Sequence, residues 1–171
     1  MRSSYKIHDP NGIYFITSTI VEWVPVFTST PYLRVLSESM AFCQIHKDLK
    51  IFAYVIMDNH FHMICQSKEL GKTIQSMKRH TAKQIISQLK KDDKKWLLNL
   101  MHYNKQSHKV ESDHQVWQEG FHPKQILNDD IFRQKVEYIH YNPVRRGFVA
   151  EPEHWLYSSA SDFSGRPGVI A

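Results

Sequence analysis

His60 and His62 stand two residues apart in Tyr54-Val55-Ile56-Met57-Asp58-Asn59-His60-Phe61-His62-Met63-Ile64-Cys65, an apolar stretch broken by one polar pair. Side chains alternate along a strand, so His60, His62 and Ile64 face one way and Phe61, Met63 and Cys65 the other. Two imidazoles about 7 Å apart on one strand face can grip a single metal ion. With 11 histidines in 171 residues, chance supplies about 0.6 His-x-His pairs, so the spacing alone is a weak signal. The setting is stronger, because a half-buried apolar strand is a costly place for two imidazoles without partners. Another segment must complete the site. Glu137-Tyr138-Ile139-His140-Tyr141-Asn142-Pro143 offers one: on a helix, Tyr138 and Asn142 share a side roughly 100° from the apolar stripe. If that helix lies on the histidine face, Asn142 presents an amide oxygen to the metal and Tyr138 points beside it. The plainer alternative makes Tyr138 and Tyr141 packing residues and Asn142 a C-terminal cap.

The elements that must position these groups follow from periodicity. Asp58-Asn59 predicts a two-residue hairpin turn, with positive φ tolerated at both, between strands at roughly Leu49–Met57 and His60–Ser67. Gly12 to Ile20 is β-branched and aromatic, a first strand. Thr30-Pro31 predicts an N-cap with proline at the first helical position, followed by Leu33, Leu36, Met40 and Cys43 on one buried face. A second helix, about Leu70 to Leu89, buries Leu70, Ile74, Met77, Ile85 and Leu89. Its Lys72, Arg79 and Lys83, with Lys68 and Lys78 nearby, form either a solvated face or a stripe that neutralises backbone phosphates. Lys90 to Lys95 is a charged turn, and His102 to His114 a polar loop whose three histidines belong on the surface. Gln115 to Leu127 predicts a last strand kinked near Gly120 and Pro123. Asn128 then caps a helix with Asp129 and Asp130 in its first turn; Phe132, Val136 and Ile139 are its buried face, and Pro143 its stop. The order β-α-β-β-α-β-α predicts an α+β, ferredoxin-like (RRM-like) split βαβ arrangement: an antiparallel sheet, two helices on one face and the tyrosine helix on the other.

A chain of this length suits one domain, 1–171 with a core at about 13–159. No run approaches the ~18 apolar residues of a membrane span, and Met1 to Lys6 lacks the apolar region of a signal peptide. Cys43 and Cys65 form no CxxC pair, and a reducing cytoplasm fits. The net charge of +5 favours a polyanionic partner.

Met57-Asp58-Asn59-His60-Phe61-His62, Trp117-Gln118, Val136 to Gly147, and Trp155-Leu156-Tyr157-Ser158-Ser159 together resemble the HUH single-tyrosine transposases. Within that superfamily they are most similar to the REP-associated tyrosine transposases, over about Ile13 to Ser159. The resemblance implies that His60 and His62 are metal ligands and Asn142 the third. It implies that Tyr138 is the nucleophile on single-stranded DNA, forming a 5′-phosphotyrosine link and releasing a 3′-hydroxyl. It also implies recognition of short DNA hairpins. A phosphodiester repels nucleophiles, so a divalent cation has to polarise the phosphoryl oxygen. A site of two imidazoles and an amide suits Mg²⁺ or Mn²⁺. Exchanging one phosphate ester for another is near isoenergetic, and no nucleotide cofactor is expected. Asp58 stands where relatives usually carry proline, and is a possible extra carboxylate for the metal. His140 is either a proton shuttle or, the better guess, a surface residue; His122 is expected to be structural.

Lys72, Arg79 and Lys83, with Arg145 and Arg146, are candidates for a hairpin-binding surface. Trp155 and Tyr157 would either stack on unpaired bases or be core. Two other readings stand beside strand transfer: a non-catalytic binder of hairpin nucleic acid with this fold, and a metal-dependent phosphodiesterase using water. Monomer and homodimer are both open, since the tyrosine helix can complete its own site or a partner's.

Overall fold

The structure, a computed structural model, describes residues 6–170; Met1 to Tyr5 of the N-terminal stretch, expected to lack a signal peptide, lie outside them. Strands β1 (Ile13–Thr19), β2 (Lys50–Ile56), β3 (His60–Gln66) and β4 (Lys124–Ile126) form one antiparallel sheet in the order β2-β3-β1-β4. Helices α1 (Thr30–His46) and α2 (Leu70–Lys91) bury the expected residues against Tyr14, Ile16, Phe61, Met63 and Cys65 on one face. Helix α4 (Asp129–Arg145) covers the other face, where Ile139 joins Phe15, Ala53, Val55, Met57 and Ile64. This is the α+β, ferredoxin-like arrangement expected from the sequence. It gives β3 two unlike sides: Phe61, Met63 and Cys65 anchor the helical core, while His60 and His62 look towards α4. Cys43 and Cys65 are buried and unbonded. Among the described residues no helix is long and apolar enough to cross a membrane.

Several expectations are corrected. The Asp58-Asn59 turn closes with the Met57 N–H donating to the His60 carbonyl at 2.8 Å, yet neither turn residue takes a positive φ. Distant backbone holds it instead: Val26 and Phe27 N–H groups donate to the Asp58 carbonyl, and the Ile20 N–H to that of Asn59. The N-cap of α1 is Ser29 rather than Thr30, which is already helical. A helix that the sequence did not suggest, α3 (Lys95–Tyr103), buries Leu97 and Met101 four residues apart and takes in His102. The last strand is split. Trp117 bridges to Ile20, Gly120 (φ +75°) and His122 (φ +45°) turn the chain, and only Lys124–Ile126 continues along β1.

Helix α4 starts as expected, with the Asn128 side chain accepting from the Ile131 N–H at 2.9 Å. Pro143 does not stop it. The N–H that proline lacks would have served only the Ile139 carbonyl, and α4 continues just to Arg145. The stop is Gly147 (φ +73°), whose N–H donates to the Val144 carbonyl while that of Phe148 reaches the Pro143 carbonyl, both at 2.9 Å.

The Trp155–Ser159 segment runs along the outer edge of β2. Trp155 Nε1 donates to the Ile56 carbonyl, the Ile56 N–H to Tyr157, and the Tyr54 N–H to Ser159 Oγ. Trp155 and Tyr157 are therefore half-buried structural groups rather than free stacking platforms. His140, expected on the surface, is buried; its Nε2 lies 2.8 Å from Ser159 Oγ and its ring meets Phe163 edge-on. Burial pushes its pKa down to about 4, against a smaller upward pull from Asp162. It clips α4 to the C-terminal segment and is not aimed as a shuttle for Tyr138. Ser159→Ala would leave the Tyr54 N–H and His140 Nε2 unpaired in a dry place. An expected loss of about 1–3 kcal/mol follows, measurable by urea unfolding.

Candidate active site

Strand pairing sets the two histidines opposite threonines of β1, His62 against Thr17 and His60 against Thr19. Their rings lie 4.7 Å apart between centres. Each is oriented by a partner. His62 Nδ1 is 2.8 Å from Thr17 Oγ1, and its ring stacks on Phe15 at 5.2 Å. His60 Nδ1 is 2.7 Å from Asn59 Oδ1. Asn59 Nδ2 donates to the Trp23 carbonyl at 2.8 Å, which fixes which end of the amide meets the imidazole. His60 Nδ1 must then carry the proton, leaving the Nε2 lone pair for a cation.

Burial also keeps both rings neutral. It pushes His60 down to about 4, where the Asp58 carboxylate pulls weakly up and Arg146 down. It pushes His62 down to about 3, with His60 and the Lys135 ammonium adding in the same direction. Neutral imidazoles with hydrogen-bonded Nδ1 atoms are the usual state of histidines that hold a metal.

Helix α4 of the same chain lies over the histidines. The Tyr138 ring meets His62 edge-on at 5.3 Å and Phe15 at 6.0 Å, while 40% of the residue stays exposed. Asn142, one turn further along, is buried. Two neutral imidazole nitrogens are donors that a divalent cation accepts, and Asn142 would add a carboxamide oxygen from α4. The Asp58 carboxylate lies 3.5 Å from Arg146, linking the end of α4 to the β2–β3 turn.

No family model matches the chain. A curated Haemophilus influenzae protein, named provisionally as a REP-associated tyrosine transposase, is 24% identical over 148 residues, which are 86% of this chain and 79% of that protein. A solved structure of a REP-associated tyrosine transposase bound to a REP hairpin matches with a TM-score of 0.66 and 21% identity, covering 100% of this chain and 91% of the other. The chain is similar to the REP-associated tyrosine transposases. The resemblance first carried by its motifs thus extends to a relative along most of both sequences, and to the fold.

The expected basic residues do not form one surface. Arg145 and Arg146 sit at the end of α4, beside Tyr138 and Asp58. Lys72, Arg79 and Lys83 lie on α2, across the sheet, lining a groove of about 1190 Å³ against residues 108–121. Lys72 is paired there with Glu69. Lys78 donates to the Gln118 and Gly120 carbonyls, and its burial pushes its pKa down to about 8. His102 and His114 approach each other at 5.8 Å, and His108 meets Glu119. No group of three His, Cys, Asp or Glu side chains that could hold a metal occurs among the described residues. Sequence reasoning missed Phe15, Thr17 and Asn59, which support the histidines, and Lys135 beside Tyr138. Thr17 had a signal only through register, since a β1–β3 pairing must set some β1 residue opposite His62.

Proposed function

We propose that this chain is a REP-associated tyrosine transposase that cleaves and rejoins single-stranded DNA beside a hairpin, with Tyr138 as nucleophile and His60, His62 and Asn142 as metal ligands. The observation that carries this reading is the Tyr138 ring on His62, at 5.3 Å, within one chain. Further support comes from the relative and from the hairpin-bound structure of similar fold.

The Tyr138 hydroxyl would attack the phosphorus and lose its proton. A phosphotyrosine bond forms, the P–O3′ bond breaks, and the departing 3′ oxygen takes up a proton. Rejoining is the reverse, with a 3′-hydroxyl attacking the phosphotyrosine. The cation, Mg²⁺ or Mn²⁺, would polarise the phosphoryl oxygen and stabilise the developing charge. The protein's part is to hold both imidazoles neutral and oriented, and to keep the phenol half-exposed where a strand can reach it.

The test is to incubate labelled hairpin oligonucleotides with the protein and Mg²⁺ or Mn²⁺, then run a denaturing gel. A covalent protein–DNA band that requires the cation is expected. Cleavage without that band would replace the reading by the water-using phosphodiesterase. Binding across a broad hairpin panel with no cleavage would replace it by the non-catalytic binder.

A further inference from the structure

Three residues of α4, Lys135, Tyr138 and Arg145, are spaced by three and seven, so one helix face carries them. Lys135 Nζ lies 4.8 Å from the centre of the Phe15 ring and 5.6 Å from that of Tyr138. The guanidinium carbon of Arg145 lies 5.1 Å from the Tyr138 ring centre, and its Nη1 donates to the Tyr138 carbonyl at 3.1 Å. The phenol ring thus has two cations against it. Among the described residues neither has a carboxylate within ion-pairing distance, whereas the adjacent Arg146 is paired with Asp58. The His62 ring, edge-on to the phenol, brings no carboxylate to it. Two uncompensated positive charges around a half-exposed phenol make a site for an anion, and both side chains carry donors suited to phosphate oxygens.

We infer that Lys135 and Arg145, both held against the phenol ring, grip the phosphodiester that Tyr138 attacks. This rests on the strand-transfer reading for the identity of the anion, and it gives Arg145 a different task from a hairpin-stem contact. The cation–π contacts position the two side chains while the strand is absent. When a strand enters, the same charges meet the phosphate, and they stabilise the charge that builds on its oxygens during attack. Such a grip acts at the reacting phosphate and leaves the stem untouched.

Two measurements on the full chain test this. The first follows the aromatic NMR signal of Tyr138, assigned by its loss in Tyr138→Phe, during titration with unstructured hexathymidylate. The signal is expected to shift and saturate. Lys135→Met and Arg145→Met should each weaken the titration about tenfold or more, the scale of one charge-assisted hydrogen bond. Methionine keeps an apolar stem over Phe15, and Lys135→Arg should restore binding. The second measures single-turnover cleavage of a hairpin substrate at saturating DNA, where each Met variant should be slower by about a hundredfold, while affinity for the bare hairpin stem, without its single-stranded flank, is unchanged. Titrations indifferent to both substitutions overturn the grip, as does an unchanged saturating rate with weakened binding of the bare stem. An adduct that forms normally in both variants removes the grip and leaves strand transfer standing. A variant-sensitive titration with no adduct from the wild-type protein keeps the phosphate site and removes strand transfer.

Discussion

Tyr138→Phe is expected to eliminate the covalent protein–DNA band entirely while hairpin binding and thermal stability stay at wild-type levels. The substitution removes one oxygen and keeps the ring that meets His62 and Phe15 edge-on. Among the described residues the phenolic oxygen has no hydrogen-bond partner, and the residue is 40% exposed. The stability change should therefore stay within about 0.5 kcal/mol, as for other surface changes that leave packing intact. Loss of the nucleophile, by contrast, cannot be compensated by geometry, because no other described hydroxyl is shown in contact with the His62 ring apart from Thr17, which is engaged with Nδ1. The comparison is read on one gel: wild type gives the shifted band, the variant gives none. A band of equal intensity in Tyr138→Phe would end the assignment. Cleavage persisting without a band would transfer the reaction to water.

How far the sequence carried can be seen at particular residues. The face shared by His60 and His62 followed from the two-residue repeat, which a strand flanked by apolar neighbours cannot evade without exposing its core. The shared side of Tyr138 and Asn142 followed likewise from the helical repeat. The element order then sufficed for the fold, since a split βαβ unit has few ways to bury both helices. What stayed hidden depended on distant partners. His140 has the composition of a surface residue, and only the return of the chain past β2 to Ser159 makes it a buried clip. Pro143 signals a helix end locally, but the stop is set by the left-handed Gly147, so Asn142 remains helical. The charges of α2 and of α4 are alike in sequence, and only the sheet between them shows that they belong to different surfaces. Lys135 resembles any exposed helical lysine until Phe15, from a strand more than a hundred residues earlier, is seen beneath it.

Removing the cation is expected to be as severe as removing the nucleophile, and the histidine supports make the prediction graded. Chelation should abolish the covalent band, and added Mn²⁺ or Mg²⁺ should restore it. His60→Ala and His62→Ala should each slow cleavage by roughly a thousandfold or more, since a bound cation contributes several kcal/mol to a phosphoryl transition state. Thr17→Val and Asn59→Ala leave every proposed ligand in place but free an imidazole Nδ1 from its orienting partner. Loss of such a support typically weakens metal affinity ten- to a hundredfold. Both variants should therefore demand more cation for half-maximal cleavage and approach the wild-type rate when it is saturating. Alanine at either histidine should show no such recovery. The discriminating measurement is cleavage rate against Mn²⁺ concentration, with binding of the ion checked by calorimetry in the absence of DNA. A wild-type rate indifferent to chelator would refute the metal assignment. So would a Thr17→Val protein whose defect is equal at all cation concentrations, because Thr17 would then support the strand rather than the imidazole's hold on an ion.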